Sequence, residues 1–275
     1  TPDLVPKLGE IYKSILDYLD QSRTQYLVPE ICFTVQSSFC TNIGSLLLKL
    51  KKNLTNKGRE IISAHAGRTL ELLYELLSNK NTYIYEDGLL AVSALVNATN
   101  SPEEDFHIDI FNQETFDKLI NNFIYNGLTS MNTGVINATC LLIGNLYYFL
   151  NQSIPELLDV VPDIYNALKN IILDNKANRD VHPFILKAIS DIFVSMDRFD
   201  GAIPDLENEL KDLLTKIYDV SCQLDITNKD DVEYGNLFYQ YLSDAFYGYA
   251  KIYYCTDNQQ KEREQLFLLD RLANY

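Results

Sequence analysis

A small residue, any residue and then an apolar one recur five times along this chain, each time inside an apolar run with helical spacing. The instances are Ser37-Ser38-Phe39, Ser93-Ala94-Leu95, Gly144-Asn145-Leu146, Ser190-Asp191-Ile192 and Ser243-Asp244-Ala245. Their first residues lie 56, 51, 46 and 53 positions apart, and a second helical run precedes each one. Two helices per period of about fifty residues mark a stack of helical hairpins, because one hairpin cannot bury its apolar face alone and must pass it to a neighbour. The fold class expected is all-α: an α-α superhelix of about five hairpins, a right-handed HEAT-type solenoid. Function in such a stack lies on a surface rather than in a cleft.

Periodicity places the helices. Leu4, Leu8, Ile11, Ile15 and Leu19 keep the three-and-four spacing of an amphipathic helix over about 4–20, and its partner starts near Pro29, a residue suited to a first turn. Further pairs are predicted at 59–78 with 85–99, 114–128 with 132–150, 154–174 with 181–197, and 204–224 with 231–254, and a last helix starts near 260. The corresponding repeats are 1–56, 57–100, 112–150, 153–198 and 203–255, with a partial repeat at 260–275. Ser101-Pro102-Glu103-Glu104 offers a capping Ser, a first-turn Pro and first-turn acids; Asp180 and Asp231 precede apolar runs as further candidate caps. No stretch alternates as a strand would. The small residue of the recurring pattern suits a helix packed on both sides. The middle residue is polar in three of the five cases beyond Ser38 and Ala94, which suits a hydrogen-bonded bridge to the next repeat.

Charge and chemistry narrow the function. Lys and Arg total 23 against 38 Asp and Glu, a formal charge of −15 that repels nucleic acid and favours basic protein partners. The densest basic stripe, Lys49, Lys51, Lys52, Lys57 and Arg59, reads as a solvated helix end. Cys32, Cys40, Cys140, Cys222 and Cys255 are odd in number and scattered, which suits a reducing compartment and neither a disulfide framework nor a zinc site. No apolar run approaches the roughly 20 residues of a membrane span, and no membrane insertion is expected. Asn-x-Ser/Thr matches at Asn53, Asn97, Asn137 and Asn151 are discounted as chance in an Asn-rich chain. His65, His107 and His182 lack the i, i+4 spacing of a zinc helix, and His182 before Pro183 reads as a helix start. The acids Asp225, Asp230, Asp231 and Glu233 lack the glycine of a calcium loop, since Asp230 stands in its place. No catalytic residue, cofactor or metal is assigned, and no enzyme is expected. The 19 Tyr and 13 Phe are read mainly as core, with a minority offering flat contact surface to a peptide.

Three strings resemble a known family. Glu86-Asp87-Gly88-Leu89-Leu90-Ala91-Val92-Ser93-Ala94-Leu95-Val96 is similar to an acidic pair followed by an Ala-x-Ser-x-Leu helix in the C-terminal half of importin-β, the nuclear import receptor built from HEAT repeats. Asn178-Arg179-Asp180-Val181-His182-Pro183, leading to Ser190-Asp191-Ile192, resembles a later repeat of that family. Asp244-Ala245-Phe246-Tyr247-Gly248 resembles the one after it. The three stand in the family's order and cover roughly 80–255; the family's concave-surface tryptophans have no counterpart, since the chain has no Trp. The resemblance implies a protein-binding scaffold of a nuclear import receptor, at work in the cytoplasm, the nucleus and at nuclear pores. It implies importin-α or basic cargo segments, the GTPase Ran and Phe-Gly nucleoporins as partners, the last between the helices at 114–128 and 154–174. By the same resemblance Glu86, Asp87, Asp191, Asp231, Glu233 and Asp244 lie on or near a concave acidic face. An unrelated HEAT scaffold, such as a phosphatase regulatory subunit or a vesicle-coat component, is the alternative. A start at Thr1 and an end at Tyr275 within an apolar helix are read as those of an excised piece, expected to unfold less cooperatively than a globular domain and to self-associate.

Overall fold

A computed structural model of the chain describes residues 4–25, 29–52, 55–78, 81–101, 106–150, 154, 156–173, 179–196, 213, 215 and 227–254. They fall into two compact units, 1–149 and 150–275. The predicted helix at 204–224 and the partial repeat at 260–275 lie outside the described residues, save Leu213 and Thr215.

In the first unit α1 (Leu4–Gln25), α2 (Pro29–Lys52), α3 (Asn56–Ser78) and α4 (Thr82–Thr99) form two antiparallel hairpins, with α2 and α4 side by side. Small residues face one another there: a Cβ placed on Gly44 would come about 3.7 Å from Ala91 Cα and Ala94 Cβ, an ordinary contact distance. Around it Ile43, Leu47 and Leu50 of α2 and Leu89, Val92, Leu95 and Val96 of α4 are buried. The apolar third residue of all five recurring motifs, Phe39, Leu95, Leu146, Ile192 and Ala245, is buried, as the packing requirement predicts. Of the small residues only Ser243 is exposed.

None of the described residues between 100 and 112 is helical. Asn100–Ser101 pairs antiparallel with Phe106–His107 as a two-residue ribbon, a strand pairing that the sequence did not announce. Ser101 therefore caps no helix, and Pro102 to Asp105 lie outside the described residues. The next helix is capped by Asn112, whose Oδ1 accepts from the Thr115 amide at 2.9 Å while the Thr115 hydroxyl accepts from the Asn112 amide. That helix runs as α5 (Gln113–Lys118), a π-helical stretch (Leu119–Ile124) and α6 (Tyr125–Leu128). Its buried pairs, Leu119/Ile120, Phe123/Ile124 and Gly127/Leu128, recur every four residues. Four residues overshoot an α-turn of 3.6 by about 40°, and the wider π-turn takes that drift back, so the three pairs stay on one face. Gly127 faces α7 (Thr133–Leu150), where a Cβ on it would run into the Thr139 hydroxyl. Only glycine allows that approach.

In the second unit the predicted helix at 154–174 is broken into α8 (Glu156–Asp159) and α9 (Val161–Leu173). The break falls before Pro162, which has no amide hydrogen to continue an α-helical ladder. A short 3₁₀ turn (Arg179–Val181) leads into α10 (His182–Met196), which starts at His182 as expected, and α11 (Lys229–Tyr254) lies beside it. The cap of α11 is Asn228 rather than Asp231: its side chain accepts from the Asp230 amide at 3.0 Å and its carbonyl from the Val232 amide at 2.9 Å. Tyr165 and Phe193 meet edge to face, 6.2 Å between ring centres, in a core with Ile164, Ile189, Phe238 and Leu242.

Candidate protein-interaction surface

Polar side chains along the helices find partners about one repeat away. In the first unit the Ser37 hydroxyl donates to the Asp87 carboxylate, and Asn145 Nδ2 donates to Ser93 Oγ at 2.7 Å. Both bonds use a small residue of the recurring motif, and Asn145 is a middle residue, so these polar positions join successive repeats. Lys51 Nζ donates to the carbonyls of Asn97 at 2.8 Å and Asn100 at 3.0 Å and lies 4.2 Å from the centre of the Phe149 ring. Arg59 covers the Phe106 ring at 5.1 Å. Two members of the basic stripe are thus engaged within the chain rather than gathered as a patch for an anionic partner.

The same bonds reassign the predicted acids. Asp87 is committed to Ser37, and the half-buried Glu86 carboxylate lies against Gly134 at the N-terminus of α7, where the helix dipole favours an anion. In the second unit Arg179 Nη1 meets Asp231 Oδ1 at 2.5 Å, and its guanidinium lies 5.2 Å from the centre of the Tyr234 ring. Lys187 pairs with Asp191 at 2.8 Å across one turn of α10. Burial holds the Asp191 carboxyl above the usual carboxylate range; Lys187 opposes this and the charge of Asp244 adds to it, so Asp191 and Asp244 sense one another across α10 and α11. Glu233 and Asp244 are exposed. Of the six predicted acids, then, four are held by partners or a helix end within the chain and two face solvent.

Two concave features stand out. A cavity of about 660 Å³ lies between α1 and α2, with Ile11, Ile15, Tyr18, Val35 and Phe39 on its walls. A second, of about 480 Å³, lies at the N-terminal ends of α10 and α11, where Phe184, Tyr234 and Leu237 meet Arg179, Asp230 and Glu233. Arg179 and Tyr234 were not singled out as site residues from sequence. Arg179 was legible only as part of a loop string, and Tyr234 was one tyrosine among many.

The described titratable groups have structural settings. His65 packs on Tyr12 with 5.1 Å between ring centres, and His107 Nδ1 lies 2.5 Å from Asn100 Oδ1. Cys40 and Cys140 are buried free thiols; burial pushes both up, Cys40 to about 12, which removes the thiolate that reactivity requires. Among the described residues no group of three His, Cys, Asp or Glu could hold a metal ion, and no helix is long and apolar enough to cross a membrane.

His182 gives a pH dependence with a definite sign. Its Nδ1 lies 3.2 Å from the Tyr234 hydroxyl and its Nε2 is buried with no partner, so burial lowers its pKa below the ordinary 6.5, opposed by the Asp180 charge. The folded chain therefore binds fewer protons here than the unfolded chain. The stability contribution is full above about pH 6.5 and is lost as pH falls through the lowered folded value. Urea midpoints measured between pH 7 and pH 5 are expected to fall less in His182→Gln than in the wild type. An equal fall would assign the acid sensitivity to other groups.

The comparisons bear on what such a surface belongs to. No curated protein matches the chain by sequence. A crystal structure of importin beta superposes with a TM-score of 0.71 at 19% identity, covering 99% of this chain and 31% of that one. The likeness shows the fold, that of the importin-β solenoid, of which the chain spans about a third of the length. An engineered protein superposes with a TM-score of 0.41 at 12% identity, covering 84% of this chain and 97% of that one, too distant to inform the argument. The family profile described as importin subunit beta-1-like, TPR repeats, matches residues 1–261, and so takes in all the described helices and both sets of inter-repeat bonds. By that match the chain belongs to the importin subunit beta-1-like family of helical-repeat proteins.

Proposed function

We propose that the chain is part of the protein-binding scaffold of a nuclear transport receptor, and that it engages the basic segment of an importin-α or of cargo through exposed carboxylates. The observation that carries this reading is the pair Glu233 and Asp244, exposed on α11 of a chain whose formal charge is −15. Family membership supports a transport setting, shared between cytoplasm and nucleus. GTP-bound Ran and Phe-Gly nucleoporins are further partners under the same proposal, as are the repeat boundaries drawn from sequence.

Exposed ion pairs contribute about 0–1 kcal/mol each, so the summed field matters more than any one residue. That field raises the association rate and is screened over about 8 Å at physiological ionic strength. Reversing Glu86 and Asp87 would confound the test, because it also breaks the Ser37 bond and removes the carboxylate beside α7. Glu233→Lys with Asp244→Lys avoids this. The double variant is expected to slow association with a basic importin-α segment roughly threefold to tenfold at low salt and to flatten the salt dependence. An unchanged rate and slope would leave these acids a solubility role alone. Failure of the full-length parent to bind importin-α, Ran and Phe-Gly repeats would remove the import reading.

A further inference from the structure

The cleft at the start of α10 and α11 holds a cation already. Arg179 leaves the 3₁₀ turn, bonds Asp231 on α11 and lies over the face of Tyr234, with the Phe184 and Leu237 side chains beside it, 37% and 41% exposed. Asp180, Asp230 and Glu233 line the same cleft and Asp231 bonds the guanidinium, four acids to one Arg, so the seat stays acidic with Arg179 in place. The Asp231 side chain is 14% exposed, whereas that of Arg179 is 46% exposed. The acceptor is the more deeply buried partner, and the cation that meets it stands at the water's edge. An aromatic face with a carboxylate beside it selects a planar guanidinium over an ammonium, because only the former stacks and bonds at once.

We propose that Arg179 is an internal competitor: the cleft is a seat for an arginine side chain of a partner, and Arg179 occupies it until that partner displaces it. This rests on the reading that the chain binds basic segments and adds where one side chain docks and what regulates its entry. The occupant is an arginine of a peptide because charge complementarity and the Tyr234 face both fit it, and because Arg179 shows the geometry such a group adopts. A swing of Arg179 into solvent exposes Asp231 and the Tyr234 ring to the incoming guanidinium. The apolar Phe184 and Leu237 side chains then accept the aliphatic stem. The exchange replaces one ion pair by another, so the device tunes affinity without abolishing it.

The test uses the full chain and two probes, an oligo-arginine peptide and an oligo-lysine peptide of equal length. Arg179→Ala is expected to tighten oligo-arginine binding roughly twofold to fivefold, the range set by removing one exposed competing ion pair. The gain for oligo-lysine should be smaller. Lys187→Ala, which removes an equal charge from the same unit outside the cleft, is the control and should change either affinity little. Arg179→Lys keeps the charge but loses the planar stack, and should give an intermediate gain if the chain remains folded by circular dichroism. Equal gains in Arg179→Ala and Lys187→Ala would overturn the proposal, leaving only long-range charge. A loss of affinity in Arg179→Ala would overturn it as well, since Arg179 would then support the ligand. Binding of neither peptide by any variant would instead defeat the broader reading that the chain takes basic segments.

Discussion

Truncation of Tyr12 to alanine is expected to lower the stability of the chain by about 3–5 kcal/mol, the range for removing a fully buried aromatic side chain. Tyr12 has no exposed surface, packs its ring on His65 and bonds its hydroxyl to Thr69 at 2.9 Å across α1 and α3. The Thr69 hydroxyl already donates to the His65 carbonyl at 2.8 Å, so the phenol is the donor of the Tyr12 bond. Burial pushes that phenol up to about 12, which keeps it protonated as a donor. Tyr12→Phe removes the hydroxyl while leaving Thr69 satisfied, and should cost only about 1 kcal/mol. Urea denaturation of both variants separates packing from hydrogen bonding. If Tyr12→Phe costs as much as Tyr12→Ala, the bond and not the ring holds the first and third helices together.

Leu95→Ala is expected to cost about 2–5 kcal/mol, because Leu95 is fully buried on α4, the helix that packs on α2 and α3, and its loss leaves a cavity there. Leu90→Ala on the same helix, where the side chain is 38% exposed, should cost well under half as much. Hydrogen exchange gives the spatial readout. Amides of α2 and α4 should lose protection in Leu95→Ala, since in a stacked array each hairpin leans on its neighbours. Similar costs for the two substitutions would mean that the burial of the recurring third residue is not what holds the stack.

The helices were legible because amphipathic spacing repeats over many residues and turn residues punctuate it. Pro29 opened α2 and His182-Pro183 opened α10 where the spacing placed them. Finer features depend on competition among similar groups. Asn228, Lys229, Asp230 and Asp231 offer several polar residues at one helix start, and only backbone geometry selected Asn228 as the cap. The π-turn leaves no mark in composition, and the ribbon at 100–107 is too short for alternation to show. The candidate site was less legible for a different reason. Whether a carboxylate faces water depends on a partner about fifty positions away: Ser37 decides for Asp87, and Arg179 for Asp231. Both offsets, 50 and 52 residues, equal one repeat, so aligning the repeats on one another would have paired them.

The π-turn between Leu119 and Ile124 bears on how this chain tolerates changes in length. Losing one residue there would return the helix to α geometry and leave the faces on either side within about 20° of one another, because seven α-steps complete the same two turns that eight residues make through the wider turn. Gly127 would still meet Thr139, whereas a residue lost elsewhere in the helix would turn everything after it by about 100° and bring a bulkier side chain into that contact. Relatives of this repeat should therefore differ by a single residue within Leu119–Ile124 more readily than within the α-helical turns on either side.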